Sequence, residues 1–129
     1  MADKFDKKTR SHIMSLIRYK WTSPEREVHN WLKGHQIRHK MHPKKAPGAD
    51  ILIQKSKKAV LLNGCFWHAC TICYRAPKTN RAFWKRKILA NLRRDSRTKR
   101  HLRRLGYKIV VIWEHELRKD FQKAMKKIL

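Results

Sequence analysis

Residues 64–73 read GCFWHACTIC and contain Cys65, Cys70 and Cys73, all three cysteines of the chain, together with His68 and the ring pair Phe66 and Trp67. The C-x4-C-x2-C spacing offers three soft thiolate ligands from one turn-rich loop, and a tetrahedral zinc needs a fourth. Two histidines are candidates. His68 lies between the first two thiols, and His115 follows the apolar run IVVIW, a strand that could run beside the one leading into the loop. His115 is the preferred ligand, and His68 is left free. The competing reading is three reduced cysteines packed as small hydrophobes. An odd number of clustered thiols in a reducing compartment favours a metal over disulfides.

Hard-metal chemistry needs carboxylates, and only 9 Asp and Glu stand against 34 Lys and Arg. Asp3, Asp6, Glu27 and Asp120 sit in plainly polar surroundings. Asp50 heads the run ILI directly after a Pro-Gly turn, where a solvated turn and the edge of an active site are both open. Asp95 interrupts a helix among Arg93, Arg94 and Arg97, where an intrahelical ion pair worth a few tenths of a kcal/mol is the ordinary explanation. Glu25 falls in a first helical turn, which favours an acid through the helix dipole. Hydrolysis of a phosphodiester lifts the three together: it needs a divalent cation, hence hard oxygen ligands, inside a cleft positive enough to accept the substrate.

The formal charge of +25 is spread along nearly the whole chain and makes a polyanion the obvious partner. Such charge concentrates nucleic acid locally and strengthens its binding by counterion release, without conferring sequence specificity. A membrane-surface or ribosome-associated protein would carry similar charge. The longest apolar runs, AVLL and IVVIW, fall far short of a membrane span, and MADKFDKKTR has no hydrophobic signal region. A cytoplasmic protein is expected, nucleoid-associated in a prokaryote. The length of 129 residues fits one domain.

The elements that must position these groups follow from periodicity. Ile13, Leu16 and Ile17 share a helical face over residues 9–20, with Met14 beside them. TSPEREVHNWLKGH predicts a helix with Ser23 as N-cap, Pro24 at its first position, an apolar face of Val28, Trp31 and Leu32, and Gly34 as its stop. Residues 36–41 predict a short edge strand. ADILIQ, the turn KSKK and AVLLN predict a hairpin. Residues 81–106 predict one long basic helix capped by Asn80 or Thr79, YKIVVIW a buried strand, and LRKDFQKAMKKIL a final amphipathic helix. The result is an α/β domain with one mixed sheet flanked by helices. Within it, Phe66 and Trp67 either cap the core or, held by metal on both sides, are displayed as rigid wedges of the kind inserted between base steps.

Taken together, DKKTRSHIMSLI, GCFWH, PKTNRAFW and NLRRDSRTKRHLRRLGYKIVVIWEHEL resemble the very short patch repair endonucleases, which nick DNA at T:G mismatches, over nearly the whole chain. The resemblance implies a single restriction-endonuclease-like domain over residues 1–129, a structural zinc, and a magnesium-dependent site whose pattern falls on Glu25, Asp50, Asn63, His68 and Asp95. By the same resemblance Asp50 binds magnesium with a backbone carbonyl near residue 63, His68 positions or deprotonates the attacking water, and Asp95 and Glu25 hold water molecules of the ion. Cys65, Cys70, Cys73 and His115 match the zinc positions. Phe66, Trp67 and Trp84 match the aromatic wedge, and Met14 and Ile17 match an N-terminal helix, residues 1–20, that contacts DNA from the opposite groove. Two departures stand out. Asn63 replaces a frequent histidine, and an amide relays no proton at neutral pH; KKAPGAD lacks the usual proline directly before Asp50.

The expected activity is magnesium-dependent nicking 5′ to the T of a T:G mismatch in double-stranded DNA, by a monomer with mismatch-repair or methyltransferase partners. The alternatives are a restriction- or homing-type nuclease of the same fold acting on matched DNA, and a non-catalytic zinc-stabilised DNA-binding module.

Overall fold

In the computed structural model, which describes residues 22–129, the first helix is α1 (Ser23–Gly34). The expected helix over residues 9–20, with Met14 and Ile17, lies outside the described residues. Thr22 rather than Ser23 caps α1, its hydroxyl oxygen accepting from the Glu25 N–H at 3.5 Å, so Pro24 sits one place deeper in the first turn. The i, i+4 pair Val28 and Leu32 is fully buried.

Strand β1 (Lys40–Met41) lies at the edge and is shorter than the expected run over residues 36–41. β2 (Ile51–Ile53) and β3 (Lys58–Asn63) form the expected antiparallel hairpin, and β4 (Lys108–Trp113) adds parallel to β3. The sheet order is β1-β2-β3-β4, mixed in direction. The connection from β3 to β4 runs through α2 (Arg81–Arg104), whose 24 residues span about 36 Å at 1.5 Å per residue. Asn80 precedes α2 in a left-handed conformation and makes no side-chain capping bond. The last segment is two short helices, α3 (Glu114–Lys119) and α4 (Phe121–Met125), rather than one. Asp120 breaks it: its backbone is extended (φ −155°), and its side chain accepts from the Lys123 N–H at 3.1 Å, starting α4 afresh.

Alternation along the strands divides the core into two layers. Ile51, Ile53, Val60 and Ile112 face Val28 and Leu32 of α1 and Leu117, Met125 and Ile128 of the C-terminal segment. Leu52, Ala59 and Leu61 point the other way, toward Leu102 of α2 and toward Ala46 and Ala49. Each fully buried Leu or Ile contributes roughly 1.5–3 kcal/mol of apolar burial.

Ala46, Ala49 and Ala59 in the second layer leave room for α2 to come close to the loop before β2. A Cβ on Gly48 would lie 2.5 Å from Thr98 Cγ2, and Gly48 has a φ of +89°. Gly48→Ala therefore combines a clash with a strained backbone and is expected to cost about 1–3 kcal/mol. Adding Thr98→Ala should recover only the steric part. Thermal melts of the single and double variants check this; a Gly48→Ala protein as stable as wild type would refute the close approach.

Candidate active site and metal centre

Because β2 and β3 are antiparallel, the head of β2 lies beside the tail of β3. The Asp50 N–H donates to the Val60 carbonyl at 2.9 Å, while Asp50 Oδ2 accepts the Leu62 N–H at 2.7 Å. The carboxylate thus takes a donor that a longer β2 would have bonded through its backbone. Burial pushes the Asp50 carboxyl up to about 6; the Leu62 N–H opposes this, the charge of Glu25 adds to it, and His42 and His68 act against it. A turn residue in free solvent would feel none of this.

Glu25 enters from the first turn of α1 and is only 4% exposed. Its Oε2 lies 2.7 Å from His42 Nε2. His42 also donates its backbone N–H to the Asp50 carbonyl at 2.9 Å. Asn63, the last residue of β3, is buried and adjoins Leu62. His68 Nδ1 and Asp95 Oδ2 are 2.5 Å apart, joining the cysteine loop to the middle of α2. Among the described residues the ion-pair partner of Asp95 is therefore His68, not a helical arginine. The fold brings Glu25, Asp50, Asn63, His68 and Asp95 to one end of the sheet. His42 was missed by sequence reasoning, since it lies in a loop with no periodic pattern and outside the motif; its position eight residues before Asp50 across a tight Pro-Gly loop was the available signal.

The thiols are assembled by the parallel ladder. Asn63 is in register with Trp113, so Cys65 and His115, each two residues farther on, emerge side by side. The ligand atoms of Cys65, Cys70, Cys73 and His115 all lie within 4.8 Å of one another. His115 Nδ1 is 3.3 Å from Cys65 Sγ and 3.5 Å from Cys70 Sγ. A tetrahedral ion with Zn–S of about 2.3 Å and Zn–N of about 2.0–2.1 Å has an S···N edge of about 3.5 Å, so this donor set fits such an ion. The loop is preshaped: the Cys70 N–H donates to the Cys65 carbonyl at 2.9 Å, and the Tyr74 N–H to the Cys70 carbonyl at 2.9 Å. Burial, reinforced by the neighbouring thiols, pushes the Cys65 thiol above its ordinary value. A metal ion must therefore displace a proton there.

Between Cys65 and Cys70 the loop presents Phe66 and Trp67. Phe66 meets Trp67 and Trp84 edge-on at 5.2 and 5.4 Å, and Trp67 lies 5.9 Å from Trp84. The Asn91 side-chain amide donates to the Trp67 carbonyl at 3.1 Å, and Lys87 Nζ sits 5.6 Å from the Trp67 ring. These half-buried rings join neither core layer; they form a separate cluster between the loop and the start of α2.

Residues 2–75 match the family model described as DNA mismatch endonuclease Vsr. The chain belongs to this family. As a Vsr protein it is a DNA endonuclease, and its mixed α/β sheet is of the restriction-endonuclease-like type. Similarity to individual Vsr-type proteins extends well past residue 75. The type II nicking enzyme V.NmeAIP of Neisseria meningitidis is 37% identical over 92% of this chain and 86% of its own length. The type II nicking enzyme V.XorIIP of Xanthomonas oryzae is 35% identical over 91% and 88%, and the DNA mismatch endonuclease Vsr of Escherichia coli 33% over 92% and 77%. No helix among the described residues is long and apolar enough to cross a membrane.

Proposed function

We propose that this Vsr protein nicks double-stranded DNA 5′ to the T of a T:G mismatch by magnesium-dependent hydrolysis, leaving a 5′-phosphate on the T and a 3′-hydroxyl on its neighbour. The observation that carries the proposal is the His68–Asp95 pair placed against the buried Asp50 carboxylate.

Asp50, with a backbone carbonyl near residue 63, would hold the magnesium; an oxygen-only donor set at a strand end suits a hard cation that keeps much of its water. When bound, that ion neutralises charge building on the phosphate and acidifies water. His68 donates from Nδ1 to Asp95, which leaves Nε2 as the acceptor for the proton of the attacking water. Glu25 and Asp95 orient water around the site. Asn63 contributes a hydrogen bond and no proton relay. The four-ligand group Cys65, Cys70, Cys73 and His115 would hold zinc and so fix the loop that carries His68. Phe66, Trp67 and Trp84 would wedge between base steps at the mismatch, with Met14 and Ile17 gripping from the other side.

Nicking of end-labelled duplexes tests the reading: with magnesium, cutting on one strand of the T:G duplex and none on the matched T:A duplex. Equal cleavage of matched DNA would point to a restriction-type enzyme. Tight, salt-sensitive binding without cleavage would point to a binding module; log affinity would then fall by about 0.9 per phosphate neutralised for each unit of log salt.

A further inference from the structure

We propose that His42 is a positioning residue for this reaction, holding the Glu25 carboxylate in place and tying it to the strand that carries Asp50. The inference rests on the magnesium-dependent reading above and assigns a role to a residue outside the motif.

His42 joins two elements at once. Its imidazole Nε2 is 2.7 Å from Glu25 Oε2 on α1, and its backbone N–H donates to the Asp50 carbonyl at the head of β2 at 2.9 Å. Two costs are accepted for this. Glu25 is only 4% exposed, and a buried carboxylate on an imidazole is poor value for stability, since desolvation offsets most of the attraction. The backbone of His42 is also left-handed, with φ 48°, a conformation disfavoured for any residue with a Cβ. Of the five non-glycine residues with positive φ among the described residues, Gln36, Lys57 and Asn80 are exposed, and Ala69 has no polar side chain. Only His42 sets a ring against a buried acid. Backbone strain held against a charged group at a site is the usual mark of pre-organisation.

The geometry gives that pre-organisation a purpose. Glu25 is close enough for its charge to act on Asp50, so the two carboxylates repel each other unless a cation at the site offsets their charge. With the imidazole on Oε2, the second carboxylate stays in place before the ion arrives.

His42→Gly separates the role from the scaffold, because glycine relieves the left-handed backbone while deleting the ring. Manganese, visible by electron paramagnetic resonance, is titrated into wild type, His42→Gly and His42→Gln on a mismatched duplex, alongside magnesium-dependent nicking and thermal melts. The expected result for His42→Gly is a folded protein that melts lower, because the buried Glu25 loses its imidazole, with manganese binding and nicking each weakened about 10–100-fold, the range for removing a group that orients a metal site. His42→Gln, whose amide donates to the same oxygen, should recover most of both. In a Glu25→Gln background, His42→Gly should cost almost nothing more. Wild-type metal binding in His42→Gly, equal damage from glutamine and glycine, or losses that multiply in the double variant would each overturn the proposal. If glycine unfolds the protein, the glutamine variant and the double-variant comparison built on it decide. Wild type that binds manganese but never nicks the mismatched duplex would refute the magnesium-dependent mismatch reading, with the metal titrations still judging His42.

Discussion

Asp50→Asn is expected to slow nicking by about a thousandfold or more, the several kcal/mol that a lost metal carboxylate represents, and at the same time to stabilise the metal-free protein. The two effects have one origin. Burial raises the Asp50 carboxyl to about 6, so the folded chain binds a proton more tightly there than the unfolded chain does. Ionisation then works against folding: the cost is absent below the ordinary aspartate range, grows as pH rises toward 6, and is complete above it. Asparagine never meets that cost and can still accept the Leu62 N–H. Metal-free Asp50→Asn should therefore gain on the order of 1–3 kcal/mol near pH 8 and nothing near pH 4. For wild type the same proton competes with the cation, so half-saturating magnesium should climb as pH falls below about 6. Melts at the two pH values and magnesium titrations across pH measure both. A variant that melts lower than wild type at the higher pH, or that cuts normally, contradicts this account of Asp50.

Cys70→Ala, or removal of the proposed zinc by a chelator, is expected to reduce nicking by more than about a hundredfold, although the four ligands are none of the groups proposed to hold magnesium or move the proton. His68 rides on the loop between Cys65 and Cys70, and the ion would hold both of its ends. Without the ion the four ligands lose their shared partner, so the loop is expected to loosen and His68 to lose its fixed place against Asp95. Elemental analysis should fall from about one zinc per chain to none, the melting temperature should drop, and acid should release the ion as the thiols reprotonate. DNA binding should survive in large part, because the positive charge lies along the whole chain. A zinc-free Cys70→Ala protein that nicks at the wild-type rate would show the loop to be self-supporting.

Much of this architecture was legible from periodicity. Ile51 and Ile53 against Leu52, and Val60 against Ala59 and Leu61, alternate as strands with two covered faces must, and the hairpin followed from them. His115 was legible as a partner of the cysteine loop because IVVIW had to pair near the strand leading into it, and the Asn63–Trp113 register brings the two together. Asp95 stood out as an acid in an otherwise basic helix. Harder to read were features decided by single contacts. A helical period runs straight through Asp120, and only its bond to the Lys123 N–H reveals the break. Thr22 and Ser23 are both good caps, and hydrogen-bond geometry chose between them. His42 belongs to no period at all; its place is set by a left-handed backbone and a carboxylate 17 residues earlier, neither of which leaves a trace in local composition.

The parallel pairing of β3 with β4 also governs when the protein can become whole during synthesis. β2 and β3 are neighbours in the chain and can zip within microseconds, but β4 follows α2, after a loop whose closure is entropically costly. On the ribosome, a nascent chain that has extruded the three cysteines still lacks His115, and one flank of β3 stays open until then. The interval in which that apolar strand could pair with the wrong partner is thus set by translation of the roughly fifty residues between Cys65 and His115, at about 5–20 residues per second.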